Sequence, residues 1–278
     1  MPTNLVTRPI MAASQQRRQP ADVPYISPLL LRLFTAYVQR YLRRALHAVR
    51  RSRAGTRPEL LDVPLVIYGN HPSWWDPLLC LFVAYRLFPE RWHYGPIDAD
   101  ALARYRFFAS LGFFGVKPGT RRGAATFLRV SQAVLERPDT ALWMTPEGRF
   151  SDPRQRPLEL QSGLGHLASR LSRVAFVPLG LEYPFWEERF PEALIRFGEV
   201  TMVVCGQERS PAAWTDLLAG RLEATLDRLA DEACQRRRQT FDVILSGRAG
   251  VGGVYDGWRA LRACLRGERF RKTHGEEE

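Results

Sequence analysis

Two periods of apolar residues alternate along most of this chain. Val63 to Tyr68 (VPLVIY) is a short unbroken apolar run, as a strand covered on both faces requires. Ser73 to Phe88 then repeats at helical spacing, and Trp92 to Ile97 returns to a strand pattern. Asp98 to Leu111 reads as a helix capped by Asp98 or Asp100, Phe113 to Lys117 as a short strand, and Gly123 to Glu136 as a helix. Thr140 to Thr145 (TALWMT) and Val174 to Tyr183 (VAFVPLGLEY) are further buried strands, with a helix over Ser162 to Ser172 between them. Ala193 to Val204 holds one or two strands, and Ser210 to Arg238 one long amphipathic helix or two shorter ones. Such alternation predicts an α/β fold with a largely parallel sheet flanked by helices. Pro178 inside its apolar run predicts an edge strand or a bulge at that point.

The ends of the chain read differently. Residues 1–27 form an irregular lead-in and lack the apolar segment of a secretory signal. Residues 28–56 read as a basic amphipathic helix that precedes the sheet. Leu30, Leu33, Phe34, Tyr37, Val38, Tyr41, Leu42, Ala45 and Val49 recur at helical spacing, while Arg40, Arg43, Arg44, Arg50 and Arg51 crowd the other sectors. An aromatic and leucine face beside an Arg-rich one suits a membrane interface. It equally suits a helix packed on the protein's own core with a solvated basic face. Residues 57–240 form the main domain. Residues 241–278 carry a Gly-rich loop (Ser246 to Gly253), a short helix over Trp258 to Phe270 and an acidic tail.

Composition narrows the partners. The 278 residues carry 40 basic and 29 acidic side chains, and residues 1–53 alone contribute +9 of the net +11. The basicity is therefore local, and such an arm can bind nucleic acid or an anionic membrane surface. Nothing else in the chain resembles a nucleic-acid module, so no nucleic acid is expected. Four Cys without a CxxC or a Cys/His cluster speak against a zinc ribbon, and no metal is expected. The absence of an 18-residue uncharged apolar run predicts peripheral or monotopic association, not a membrane-spanning helix.

Sites in such sheets lie beyond the carboxyl ends of the strands. VPLVIY is followed by Gly69-Asn70-His71-Pro72-Ser73-Trp74-Trp75-Asp76. A His there can act as a general base, and a carboxylate on its other ring nitrogen fixes the tautomer. The His-x4-Asp spacing is by itself a weak signal. TALWMT is followed by Pro146-Glu147-Gly148-Arg149-Phe150-Ser151, a turn that aims a carboxylate and offers an Arg fork. Between them, Lys117-Pro118-Gly119-Thr120-Arg121-Arg122 opens onto a helix N-terminus with three cations, an arrangement that favours an anion or is simply a solvated turn.

In this order, these elements resemble the glycerophospholipid acyltransferase superfamily. Its NH-x4-D motif corresponds to Asn70-His71 through Asp76, its F/P-E-G motif to Pro146-Glu147-Gly148, and its V-P strand to Val177-Pro178. The resemblance covers about Val63 to Tyr183. It implies transfer of a fatty acyl group from a thioester, acyl-CoA or acyl-carrier protein, to a lipid hydroxyl, with no other cofactor. The first acceptor implied is 1-acyl-sn-glycerol-3-phosphate. His71 and Asp76 are the implied catalytic pair, and Asn70, Lys117, Arg121, Arg122, Glu147, Gly148 and Arg149 the implied substrate contacts, at the cytoplasmic face of a membrane. Two departures matter. The family pattern E-G-T-R-S places an Arg two residues after Gly, where this chain has Phe150, and Arg149 follows Gly148 directly. Its second motif has Lys117, Arg121 or Arg122 in place of a D-R pair. The changed fork also admits acylation of a glycosylated or terpenoid lipid, and a non-catalytic lipid-binding protein is the reading from another class.

Overall fold

The computed structural model describes residues 22–250 together with Arg262. Most of the lead-in, the short helix expected over Trp258 to Phe270 and the tail lie outside the described residues.

Helix α1 spans Pro28–Ala45. Ser27 caps it by accepting from the Leu30 N–H, and Pro28 supplies a φ already suited to a first turn. Leu31, Val38 and Leu42 are buried, so the helix packs on the protein's own core. Its outer sector is also apolar at one end: Leu29, Leu33 and Tyr37 are exposed. Arg40, Arg43 and Arg44 are exposed towards the other end.

The amphipathic pattern predicted this helix to residue 56. It stops at Ala45, and Ala48–Ser52 forms strand β1, buried throughout. Arg50 and Arg51 therefore face no bilayer. Arg50 donates to Glu192 at 3.0 Å and lies over Trp186, while Arg51 donates to both Glu59 oxygens and to the Thr56 carbonyl. Two carboxylates, Glu59 close in sequence and Glu192 far from it, let an Arg-rich stretch form a buried strand.

The remaining elements follow in order: β2 (Leu65–Gly69), α2 (Asp76–Leu87), β3 (Trp92–Asp98), α3 (Ala99–Arg104), β4 (Phe113–Val116), α4 (Arg121–Leu135), β5 (Thr140–Met144), α5 (Gly163–Ala168), β6 (Val174–Glu182), β7 (Glu192–Phe197), β8 (Thr201–Val203), α6 (Pro211–Gln235) and β9 (Phe241–Ser246). The sheet order is β4-β3-β5-β2-β6-β7-β1-β9, with β8 on β6. Strands β2 to β6 run parallel, while β7 and β8 run antiparallel to β6. Strand β9, in the segment read as a C-terminal loop region, pairs antiparallel with β1 and closes that flank.

Alternation within the strands feeds two cores. Val66, Tyr68, Leu142, Val174 and Phe176 pack with buried residues of α4, α5 and α6. Leu65, Ile67, Ala141, Ala175 and Val177 pack with those of α1 and α2. Coverage on both faces explains the unbroken apolar runs. It also places Leu79, Leu81, Phe82, Val83 and Ala84 of α2 in the core.

Pro178 sits in neither an edge strand nor a bulge. Strand β6 is central, paired with β2 along Leu65 to Gly69. On its other side it pairs with β8 through Val174 to Phe176 and with β7 through Leu179 to Glu182. Pro178 falls where the partner changes, so its missing N–H leaves no ladder bond broken. Among the described residues no helix is long and apolar enough to cross a membrane.

Candidate active site

Three neighbouring parallel strands, β5, β2 and β6, end at the same edge of the sheet, and the turns after them build one site. Strand β2 ends at Gly69, where a Cβ would come within 2.8 Å of the Leu179 carbonyl oxygen. Only Gly allows that approach to β6. Asn70 then locks the register. Its amide donates to the Leu181 carbonyl at 3.0 Å and its carbonyl accepts the Leu181 N–H at 2.9 Å. Asn70 is buried with its carboxamide engaged at both ends. The Asn70 carboxamide is thus a clamp between β2 and β6 that precedes His71.

His71 Nδ1 lies 2.7 Å from Asp76 Oδ2. Asp76, only 1% exposed, opens α2, where the helix N-terminus favours a carboxylate. Its Oδ2 also accepts the Ser73 N–H at 2.9 Å, and its Oδ1 accepts the Tyr183 hydroxyl at 2.6 Å. Three donors converge on one buried carboxylate, as burial demands. With Nδ1 committed to Asp76, Nε2 is the nitrogen left to take a proton. Tyr183 was not among the residues singled out by sequence. It stands just past β6 at the same edge, and that position was the available signal. Burial, then the neighbouring Asp76 charge, pushes its hydroxyl well above the usual tyrosine range, so it stays a donor.

The turn after β5 closes the site. Gly148 adopts φ +68°, a left-handed conformation that suits glycine. The Ser151 N–H donates to the His71 carbonyl at 3.1 Å and ties this turn to the base. Glu147 is buried, and its Oε1 has no hydrogen-bond partner among the described residues. Phe150 is exposed, and its ring centroid lies 4.3 Å from that of His71. Arg149 is turned to Glu159, in an exposed pair at 2.7 Å.

Lys117, Arg121 and Arg122 are exposed at the end of β4 and the start of α4, with Thr120 capping that helix. Strands β3 and β5 stand between β2 and β4, the strand that Lys117 follows. Among the described residues no group of three or more His, Cys, Asp or Glu side chains is arranged to hold a metal ion.

A His–carboxylate pair at the mouth of a parallel sheet, beside a Glu-Gly turn, can activate a hydroxyl. Residues 46–182 match the family described as Acyltransferase, a span that includes both turns. That span carries an acyltransferase domain, and the chain is an acyltransferase. Among solved structures it is similar to the 1-acyl-sn-glycerophosphate acyltransferase PlsC from Thermotoga maritima, at 14% identity and a TM-score of 0.49, over 74% of this chain and 80% of that one. No curated protein sequence matches it.

Proposed function

We propose that this protein is a peripheral membrane O-acyltransferase that moves a fatty acyl group from a thioester to a lipid hydroxyl. The carrying observation is the 2.7 Å contact between His71 Nδ1 and Asp76 Oδ2. His71 Nε2 takes the acceptor's hydroxyl proton as its oxygen attacks the thioester carbonyl carbon. The carbon–sulfur bond then breaks, and the thiolate leaves with the proton that His71 returns. Asp76 holds the tautomer and steadies the imidazolium. Glu147 and Gly148 shape the acceptor side, and Lys117, Arg121, Arg122 and Arg149 supply anion contacts away from the reacting hydroxyl. The donor is acyl-CoA or an acyl-carrier protein, with no further cofactor. The acceptor is 1-acyl-sn-glycerol-3-phosphate or an uncharged lipid alcohol.

The bilayer contact is the outer end of α1. Leu29, Leu33 and Tyr37 stand exposed, together with Tyr25, Trp74, Tyr105 and Phe107. Aromatic and leucine side chains favour the interface, and Arg40, Arg43 and Arg44 each add about 1 kcal/mol near an anionic leaflet. Ring contacts run inward from Tyr37 through Tyr41, Trp74 and Trp75 to Tyr183, beside Asp76. That series supports a lane for the acyl chain.

Labelled acyl-CoA or acyl-carrier protein with a panel of lipid alcohols tests the chemistry. His71→Ala should lower kcat by about 10³-fold or more; full activity in that variant removes the base. The Leu33→Ser/Tyr37→Ser double variant should lose about tenfold in binding to anionic vesicles, and unchanged flotation would exclude this face.

A further inference from the structure

We infer that Phe150 selects the acceptor's head group: the ring laid across His71 favours a lipid alcohol with no phosphate beside the reacting hydroxyl. The inference rests on the proposed role of His71 as the base.

Position 150 is where the family pattern carries the Arg of E-G-T-R-S, and this chain has a phenyl ring there. The ring is not a loose loop side chain. Its centroid is 4.3 Å from the imidazole's at an interplanar angle of 32°. The next residue, Ser151, donates its N–H to the carbonyl of His71 itself. Backbone bonds from Gly148 N–H to Thr145 and from Gln161 N–H to Pro146 hold the rest of the turn. Phe150 is nevertheless 61% exposed. An alcohol presenting its hydroxyl to His71 must therefore pass beside an anchored, open aromatic surface.

In 1-acyl-sn-glycerol-3-phosphate, the phosphate ester hangs on the carbon next to the reacting carbinol. A phosphate so close to the base needs donors or a cation there. Phe150 offers neither. Its face is electronegative, and it displaces the water that would otherwise solvate the anion. Arg149, the one cation of this turn beside it, is directed to Glu159. Lys117 follows β4, three strands from β2 in the sheet order, and Arg121 and Arg122 open α4 after it. An exposed aromatic face suits the opposite chemistry: an uncharged hydroxyl flanked by C–H surface, as on a sugar ring, a monoacylglycerol or an isoprenoid alcohol.

A matched pair of acceptors tests this on the full chain: 1-acyl-sn-glycerol-3-phosphate and 1-acylglycerol, which differ only by the phosphate. An alkyl glucoside and an isoprenoid alcohol serve as further arms that separate the sources. The wild type should prefer the best uncharged acceptor by about tenfold or more in kcat/KM. Phe150→Arg should move that ratio about tenfold towards the phosphate. Phe150→Tyr should keep it, and Phe150→Ala should lower kcat/KM for the uncharged acceptor about tenfold. Binding of the same acceptors to His71→Ala should follow the same order without turnover. Absence of acylation with every acceptor would then defeat the acyl-transfer reading, while binding still decides the role of Phe150. A wild-type preference for the phosphate, or a ratio unmoved by Phe150→Arg, would overturn the inference.

Discussion

Two regions of this sheet take charged side chains out of water, and they complete them differently. On the β1–β7–β9 flank, carboxylates meet cations: Arg50 with Glu192, Arg51 with Glu59, and Arg196 with Glu232 and the Ser52 hydroxyl. At the mouth of β5, β2 and β6, Asp76 is satisfied by three donors, but the group it serves is left open. His71 keeps Nε2, and Glu147 keeps an unpartnered Oε1. Both regions bury charge, and both leave polar atoms without a hydrogen bond among the described residues: Glu192 Oε1, Glu232 Oε2 and Arg196 Nε on the flank, Glu147 Oε1 at the mouth. What sets the mouth apart is a part-exposed imidazole on its buried carboxylate, where the flank pairs its carboxylates with buried cations.

The sharpest way to break this contrast is a pair of substitutions with opposite signatures. His71→Ala should remove activity, as above, with a smaller fall in melting temperature than the flank variant, because His71 is part-exposed and Asp76 keeps the Ser73 N–H and the Tyr183 hydroxyl. Glu192→Ala should do the reverse. Glu192 is 1% exposed, and its loss strands Arg50 without its counter-charge and leaves His47, 3.7 Å away, facing the gap. Loss of one partner of a buried pair costs about 3–5 kcal/mol, which is about 10 °C in Tm for a chain of this size. Activity of the fraction still folded should be retained. Thermal melts beside initial rates give both readings, and a flank variant that inactivates without destabilising would erase the distinction.

The mouth was far more legible in the sequence than the flank. His71, Asp76 and Glu147 each follow a short apolar run, and a local pattern plus the strand-end rule suffices to find them. Strand β1 was read as helix because Ala48 to Ser52 contains two Arg, and the Glu that neutralises Arg50 comes from elsewhere. Glu192 is 142 positions from Arg50, so no window along the chain contains both. Strand β9 was missed for the same reason, since its place is defined by β1. Tyr183 was read only as the end of a strand. Its hydroxyl partner is 107 positions away, a non-local bond that period and composition do not encode.

Acid sharpens the comparison through a second histidine. His93 lies in β3 and is buried; its Nε2 is 3.0 Å from the Phe88 carbonyl, and the Trp143 indole N–H donates to its Nδ1 at 3.0 Å. It is thus a neutral histidine with both nitrogens used. Burial, reinforced by Arg91 nearby and only partly offset by the Phe88 carbonyl, pushes its pKa down to about 3 from an ordinary 6.5. The unfolded chain therefore binds a proton below about pH 6.5 that the folded protein refuses until about pH 3. Stability is unaffected by this group at neutral pH and falls as pH drops through that window, by about 2 kcal/mol at pH 5. Urea melts at pH 7 and pH 5 should show the loss, and His93→Gln should flatten it. An unchanged slope in that variant would assign the acid sensitivity to other groups.

The smallest expected effect tests whether the mouth is a graded assembly or a bare pair. Tyr183 touches no reacting atom and acts through Asp76, whose Oδ1 accepts its hydroxyl. Tyr183→Phe keeps the ring against Trp75, 5.5 Å between centroids, so packing should survive. The carboxylate would keep the Ser73 N–H and His71 and lose one of its three donors. A hydrogen bond to a charged group is worth about 1.5–3 kcal/mol, but the imidazole contact persists, so a fall of about tenfold or less in kcat is expected. KM for both substrates should not move, because the hydroxyl orients the base and does not hold a substrate. A purely structural Tyr183 would lower Tm and leave kcat per folded molecule intact. A direct substrate contact would raise KM. Only a positioning residue lowers kcat alone, and that split decides whether Asp76 orients His71 unaided or as the hub of a buried network.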